Sequence, residues 1–177
     1  MDIRINSEIY LSEICAADKP FYLEYFKEKQ IYDQTLAIPY PYKPSDADWW
    51  MNHVAEETKK YGRPVKWAIR GSNGNIMGSI GFHDFVLNES HRAELGYWLA
   101  KPFWNQGIMT STVKKIVDYA FQELGLVRIT ANVFDFNIGS ARVLEKAGFQ
   151  LEGLLRKHYK KDGKIFDGRL YARVKSG

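Results

Sequence analysis

The sequence carries a single cysteine, Cys15, among its 177 residues. No disulfide can close within the chain, and a zinc site built on paired thiolates is excluded. A lone thiol fits a reducing, cytoplasmic setting. No apolar run approaches the roughly 20 residues that cross a bilayer. The opening Met1-Asp2-Ile3-Arg4 has no apolar signal core. A membrane is therefore not an expected partner. Long blocks of like charge are missing too, and the net charge is only +4. This scattered positive excess, without strand aromatics flanked by basic residues, disfavours a nucleic-acid partner and suits a small anionic ligand. With no repeat, linker or low-complexity stretch, the expectation is one domain over residues 1–177.

Rings are plentiful, with 5 Trp, 11 Tyr and 10 Phe. The core absorbs some of them, and the surplus hints at a ligand cleft lined with rings.

Periodicity sets out the elements. Ile9 to Ile14 reads as a first strand. Asp18 is placed as the cap of a helix with Pro20 in its first turn. Residues 31–43 are non-periodic and read as an aromatic loop. Ser45 is placed as the cap of a second helix, with Asp46 and Asp48 in its first turn and an end near Tyr61. Strands follow at Val65–Arg70, Ile76–His83 and Glu94–Ala100, the first two joined by the turn residues Gly71-Ser72-Asn73-Gly74. Met109, Val113, Ile116, Val117, Ala120 and Leu124 recur at helical spacing, and Gly125 ends that helix. A strand at Arg128–Phe134, a short helix at Ser140–Ala147 and strands at Phe149–Leu155 and Ile165–Val174 complete the chain. Hairpins and strand–helix–strand crossovers together predict an α/β (α+β) fold: a mixed, mostly antiparallel sheet of about seven strands with helices on both faces.

The most informative stretch runs from the strand ending at Ala100, through Trp104-Asn105-Gln106-Gly107, into the helix that follows. A helix N-terminus has unpaired N–H groups and the positive end of the dipole. A glycine there removes the Cβ obstruction, so the turn can cradle a pyrophosphate. The same residues also read as no more than a tight connection. The patterns of the Walker phosphate loop and of the dinucleotide fingerprint are both absent.

Four segments together resemble the GNAT N-acetyltransferase superfamily, and within it the RimJ/RimL-like branch, which includes N-terminal acetyltransferases of ribosomal proteins. They are Glu94–Leu99 (ELGYWL), Asn105–Thr110 (NQGIMT), Asn137–Phe149 (NIGSARVLEKAGF) and Gly153–Arg156 (GLLR). The likeness extends from Ile9 to Val174. It implies acetyl-CoA as co-substrate, no metal, and a primary amine as acceptor, either a protein N-terminus or a small molecule. It implies that backbone groups of Trp98, Leu99 and Ala100 pair with the pantetheine arm. Amides of Gln106, Gly107, Ile108, Met109 and Thr110 would hold the pyrophosphate. Asn137 would hydrogen-bond the pantetheine, and Ser140 would lie near the thioester sulfur. The chain departs from the family pattern at Trp104 (often Gln or Arg), Met109 (often Gly or Ala), Leu144 (often a tyrosine general acid) and Tyr159 (a glutamate in RimL-type enzymes). The spacing of Met109 with Val113 and Ile116 turns it to the core.

Direct attack in a ternary complex needs a group to take the ammonium proton, a donor to the thioester oxygen, and a proton for the leaving thiolate. Glu94, the carboxylate nearest the cofactor strand, is the first candidate base, or else a rim charge. His83 ends the neighbouring strand and reads as a second base or as a structural histidine. Ser140 and Tyr159 are candidate proton donors; Ser140 is otherwise a helix start and Tyr159 a packing residue. Arg142 is read as a phosphate partner or as a solvated surface arginine. Tyr32, Tyr40, Tyr42 and Trp49 are the expected acceptor-side wall, or a cover for the sheet. The rival reading is a non-catalytic acyl-CoA sensor. Oligomeric state, monomer or homodimer, stays open.

Overall fold

The structure, a computed structural model, describes residues 2–177. In chain order the elements are β1 (Ile3–Arg4), β2 (Tyr10–Glu13), α1 (Lys19–Tyr25), α2 (Lys29–Asp33), α3 (Pro44–Tyr61), β3 (Lys66–Arg70), β4 (Ile76–His83), β5 (Arg92–Leu99), α4 (Ile108–Glu123), β6 (Arg128–Phe134), α5 (Ile138–Lys146), β7 (Gln150–Lys161) and β8 (Lys164–Val174). The strands form an eight-stranded sheet in the order β1-β2-β3-β4-β5-β6-β8-β7. By contact, the chain gathers into two compact units. The first holds the residues up to Gly81 together with Tyr97–Gln106, and the second holds Phe82–Gly96 and Gly107–Gly177.

The first unit is built on antiparallel pairs of β1 with β2, β2 with β3, and β3 with β4. Every residue of β3 is buried, which leaves two cations to neutralise. Lys66 pairs with Glu57 of α3. Arg70 forks onto Asp18, with Nη1 to Oδ1 at 2.7 Å and Nη2 to Oδ2 at 2.8 Å. A planar guanidinium matches a carboxylate in this way, so both charges are satisfied without water. The unit's apolar core gathers Tyr22, Phe26, Ile31, Val54, Ala68, Ile76 and Trp98. The Trp98 indole meets Phe26 edge-on at 4.5 Å between centroids.

The second unit contains the strand–helix–strand crossover. Here β5 and β6 run parallel, with Arg92, Ala93 and Glu94 opposite Arg128, Ile129 and Thr130. The connecting α4 buries Met109, Val113, Ile116, Val117 and Ala120, the stripe its spacing foretold. Strand β6 pairs antiparallel with β8, and β8 with β7. The β7–β8 ladder slips between Leu155 and Tyr159. There Lys157 takes a positive φ of 52°, and its N–H donates to Asp167 Oδ1 at 2.7 Å. Such a bulge re-aims the side chains around it.

Several sequence expectations need correction. Among the described residues there are eight strands where about seven were expected, because β1 is too short to show periodicity. The loop over 31–43 begins inside a helical turn, α2. Asp18 does not cap α1; its oxygens accept instead from Arg70 and from the Cys15 N–H, the latter at 2.9 Å. Ser45 does not cap α3. Pro44, with its φ preset, opens the helix, so Lys43 is the N-cap. Asp46 Oδ2 accepts the Lys43 N–H at 2.7 Å. Strand β7 runs to Lys161, well past Leu155.

Candidate active site

The opening of α4 has the geometry an anion needs. Asn105 and Gly107 both have positive φ, 61° and 76°, and Gly107 is the N-cap. Ser111 N–H donates to Gly107 O at 3.1 Å, the first bond of the helical ladder. The amides of Ile108, Met109 and Thr110 precede it and have no acceptor within the helix. A Cβ on Gly107 would meet nothing within 4 Å. Met109 is 6% exposed, so its side chain serves the core and leaves the turn unobstructed. Gln106 is exposed and ties its side-chain amide to Pro102 O at 2.9 Å.

Just before this turn, the end of β5 is fixed on both edges. Ala100 N–H donates to Met77 O at 2.8 Å. Strand alternation turns the Leu99 peptide groups the other way. There the Trp104 indole N–H donates to Leu99 O at 2.6 Å. The residue that departs from the usual Gln or Arg thus anchors the loop to its own strand. Of the three residues expected to meet pantetheine, Ala100 has its N–H committed to Met77, and the Trp98 ring is core.

Glu94 stands at the last registered pair of the β5–β6 ladder. Its Oε2 accepts the Asn132 Nδ2–H from β6 at 3.1 Å. Burial, above all, raises its pKa. The nearby Asp84 pushes the same way, while Asn132, His158 and Arg92 offset part of the rise. A carboxylate with a raised pKa is a stronger proton acceptor than an ordinary one. His83 ends β4. Its Nε2 would lie 2.9 Å from a Cβ on Gly96, two residues beyond Glu94. Tyr159 belongs to the same surroundings. Its pKa is raised by burial first and by the Glu94 charge second. The Tyr159 ring packs on Phe134 at 4.9 Å. Phe166 and Phe136 extend this aromatic wall.

On α5, Asn137 is the N-cap. Its Oδ1 accepts the Ser140 N–H at 3.1 Å, so Ser140 is not the cap. Arg142 is exposed. Leu144 is fully buried, a core residue with no part in proton transfer. The aromatic residues expected on the acceptor side make several ring contacts. Tyr32 and Tyr40 lie 5.3 Å apart. Tyr42, half-buried, packs on Phe26 at the margin of the core. Trp49 stacks on His53 and is 65% exposed.

The sequence reading missed Asn132, Asp84, His158, Phe134, Phe136 and Phe166. The Phe residues carried a signal, because they are rings on or beside strands close to the motifs. Asn132 carried none, since strand alternation does not say which side chain across a ladder it will meet.

Known proteins bear on this geometry. The sequence profile of the acetyltransferase (GNAT) domain matches residues 8–150. The uncharacterized N-acetyltransferase YoaA of Bacillus subtilis is 41% identical over 115 residues, 64% of each chain, so the match spans just under two thirds of that relative. The L-amino acid N-acetyltransferase AaaT of Escherichia coli is 25% identical over 96% of this chain and 99% of its own. Among solved structures, the RimL ribosomal L7/L12 alpha-N-protein acetyltransferase in complex with coenzyme A superposes with a TM-score of 0.88. It is 21% identical and covers 99% of this chain and 98% of its own. The eight strands, the crossover and the glycine-opened helix are thus those of a known architecture, and this chain belongs to the GNAT acetyltransferase family.

Proposed function

We propose that this protein transfers the acetyl group of acetyl-CoA to a primary amine, a protein N-terminus or a small molecule, by direct attack in a ternary complex. The observation that carries the reading is the opening of α4. Three successive amides precede its ladder, behind a glycine with open space where a side chain would be. That arrangement fits a diphosphate. The end of β5 supplies the Leu99 N–H to an extended polar chain, in the manner of strand addition. Asn137 and Arg142 are the further contacts assigned to the co-substrate.

Bound acetyl-CoA supplies an activated acetyl group as a thioester. Glu94 takes a proton from the acceptor ammonium, which frees the nitrogen lone pair. The nitrogen forms a bond to the carbonyl carbon and gives up its second proton, which restores the hydroxyl that protonates sulfur; the carbon–sulfur bond breaks, the sulfur leaves as a thiolate that takes up one proton, and the proton held by Glu94 passes to solvent. Tyr159, near Glu94, and Ser140 on α5 are the two hydroxyls assigned to the thiolate's proton. The phenol's raised pKa keeps it protonated at neutral pH. His83 stands by as a second base. The wall of Phe134, Phe136 and Phe166 suits an amine with an apolar body.

The test is titration calorimetry with acetyl-CoA, followed by free-thiol release against a panel of amines and N-terminal peptides. Binding and amine-dependent release are expected. No heat of binding at about 1 mM acetyl-CoA, the upper end of usual KM values, would sink the reading.

A further inference from the structure

Asn132 has a chemistry that packing alone does not explain. It lies on β6 two residues beyond Thr130, the registered partner of Glu94, and therefore on the same face as Thr130. Its Nδ2 donates to Glu94 Oε2 at 3.1 Å. The carboxylate only accepts, so the amide must turn its NH₂ toward Glu94. Its carbonyl Oδ1 is then buried, and no donor among the described residues reaches it. A buried acceptor without a donor costs stability. A leucine of similar size would avoid that cost, and the site holds an asparagine instead.

We infer that Asn132 is a positioning residue: it pins one oxygen of Glu94 so that the other, Oε1, is presented to the acceptor ammonium. The inference rests on Glu94 being the base. The groups facing Glu94 are Asp84 after β4, Arg92 on β5 and His158 and Tyr159 on β7. His83, at the end of β4, lies against Gly96, which is two residues along β5 from Glu94. Asp84 disfavours the ionised carboxylate, whereas Arg92 and His158 favour it, and Asn132 joins the second group with a neutral donor that does not titrate.

The test compares Asn132→Leu, Asn132→Thr and Asn132→Asp with the unaltered chain, reading pH profiles of kcat/KM by thiol release alongside thermal midpoints. Asn132→Leu is expected to lower kcat about 10-fold or more, the usual effect of losing a partner behind a reacting group. Its KM for acetyl-CoA stays unchanged, its acidic limb moves to higher pH, and its thermal midpoint is equal or higher. Asn132→Thr, which keeps a donor on a strand-favouring side chain, recovers part of the rate. Asn132→Asp moves the acidic limb furthest, because two carboxyls then share a proton. An unchanged profile in Asn132→Leu, or a rate loss that merely follows a falling thermal midpoint in all three, overturns the inference. Glu94→Gln separates the two ideas. If it abolishes release while Asn132→Leu behaves as unaltered, only the positioning role fails; if it is fully active, the assignment of the base fails as well.

Discussion

Tyr159 rests its ring where a side chain on Gly168 would stand. A Cβ at that glycine would lie 2.6 Å from Tyr159 Cε2 and 3.4 Å from Val133 O. The glycine on β8 is what lets a β7 tyrosine lie over the sheet and reach Phe134. Gly168→Ala is therefore expected to displace the ring, at a cost of about 1–3 kcal/mol for overpacking. A lowered urea midpoint with an unchanged slope would report it, together with a fall in kcat if the Tyr159 hydroxyl serves the leaving thiolate.

Glu94→Gln keeps the shape and the hydrogen bond from Asn132 but cannot take a proton. Loss of a general base costs roughly 10²–10⁴ in rate. The fall should appear in kcat, with calorimetric binding of acetyl-CoA unchanged.

The same residue sets a pH dependence. Burial raises the folded pKa of Glu94 above its ordinary value, so the folded state holds the proton more tightly than the unfolded state. Its contribution to stability is intact below the unfolded pKa and is lost as pH rises through the folded one. Glu94→Gln should therefore melt like the unaltered chain in acid and at a higher temperature at neutral pH. In kinetics, the acidic limb of kcat/KM should lie above the ordinary carboxylate range. Scanning calorimetry and rate profiles across pH 4 to 8 would check both.

Gly107→Ala puts a side chain on a backbone of φ 76°, a conformation that costs L-residues about 1–2 kcal/mol. There is room for the methyl group, so folding should survive. The amides of Ile108 to Thr110 lose their fixed aim, and the KM for acetyl-CoA should rise several-fold with kcat nearly constant.

Asp18→Ala strands Arg70 in the core without its carboxylate. The Arg70 and Asp18 side chains are only 10% and 3% exposed, so solvent cannot replace the lost partner. Breaking such a pair costs about 3–5 kcal/mol, measurable as a lowered denaturant midpoint. Arg70→Met with Asp18→Leu should recover much of it, since a matched apolar pair leaves no charge behind.

Elements whose period is uninterrupted were legible in the order of amino acids alone. The stripe from Met109 to Leu124 could only be an amphipathic helix. The alternation at Ile76–His83 and Arg128–Phe134 could only be strand. The glycine before α4 marked the turn, because the geometry proposed for the diphosphate is local: one glycine and the first amides of one helix. Even so, local signals misplaced the start of α3, where Pro44 and Asp46 outcompeted Ser45 for control of the helix end. The surroundings of Glu94 come into being with the folded sheet. The sheet order sets β8 between β6 and β7, so residues far apart in sequence, Asn132, His158 and Tyr159, gather near one carboxylate. Its raised pKa comes chiefly from burial, a property of packed neighbours that no stretch of chain possesses before it folds.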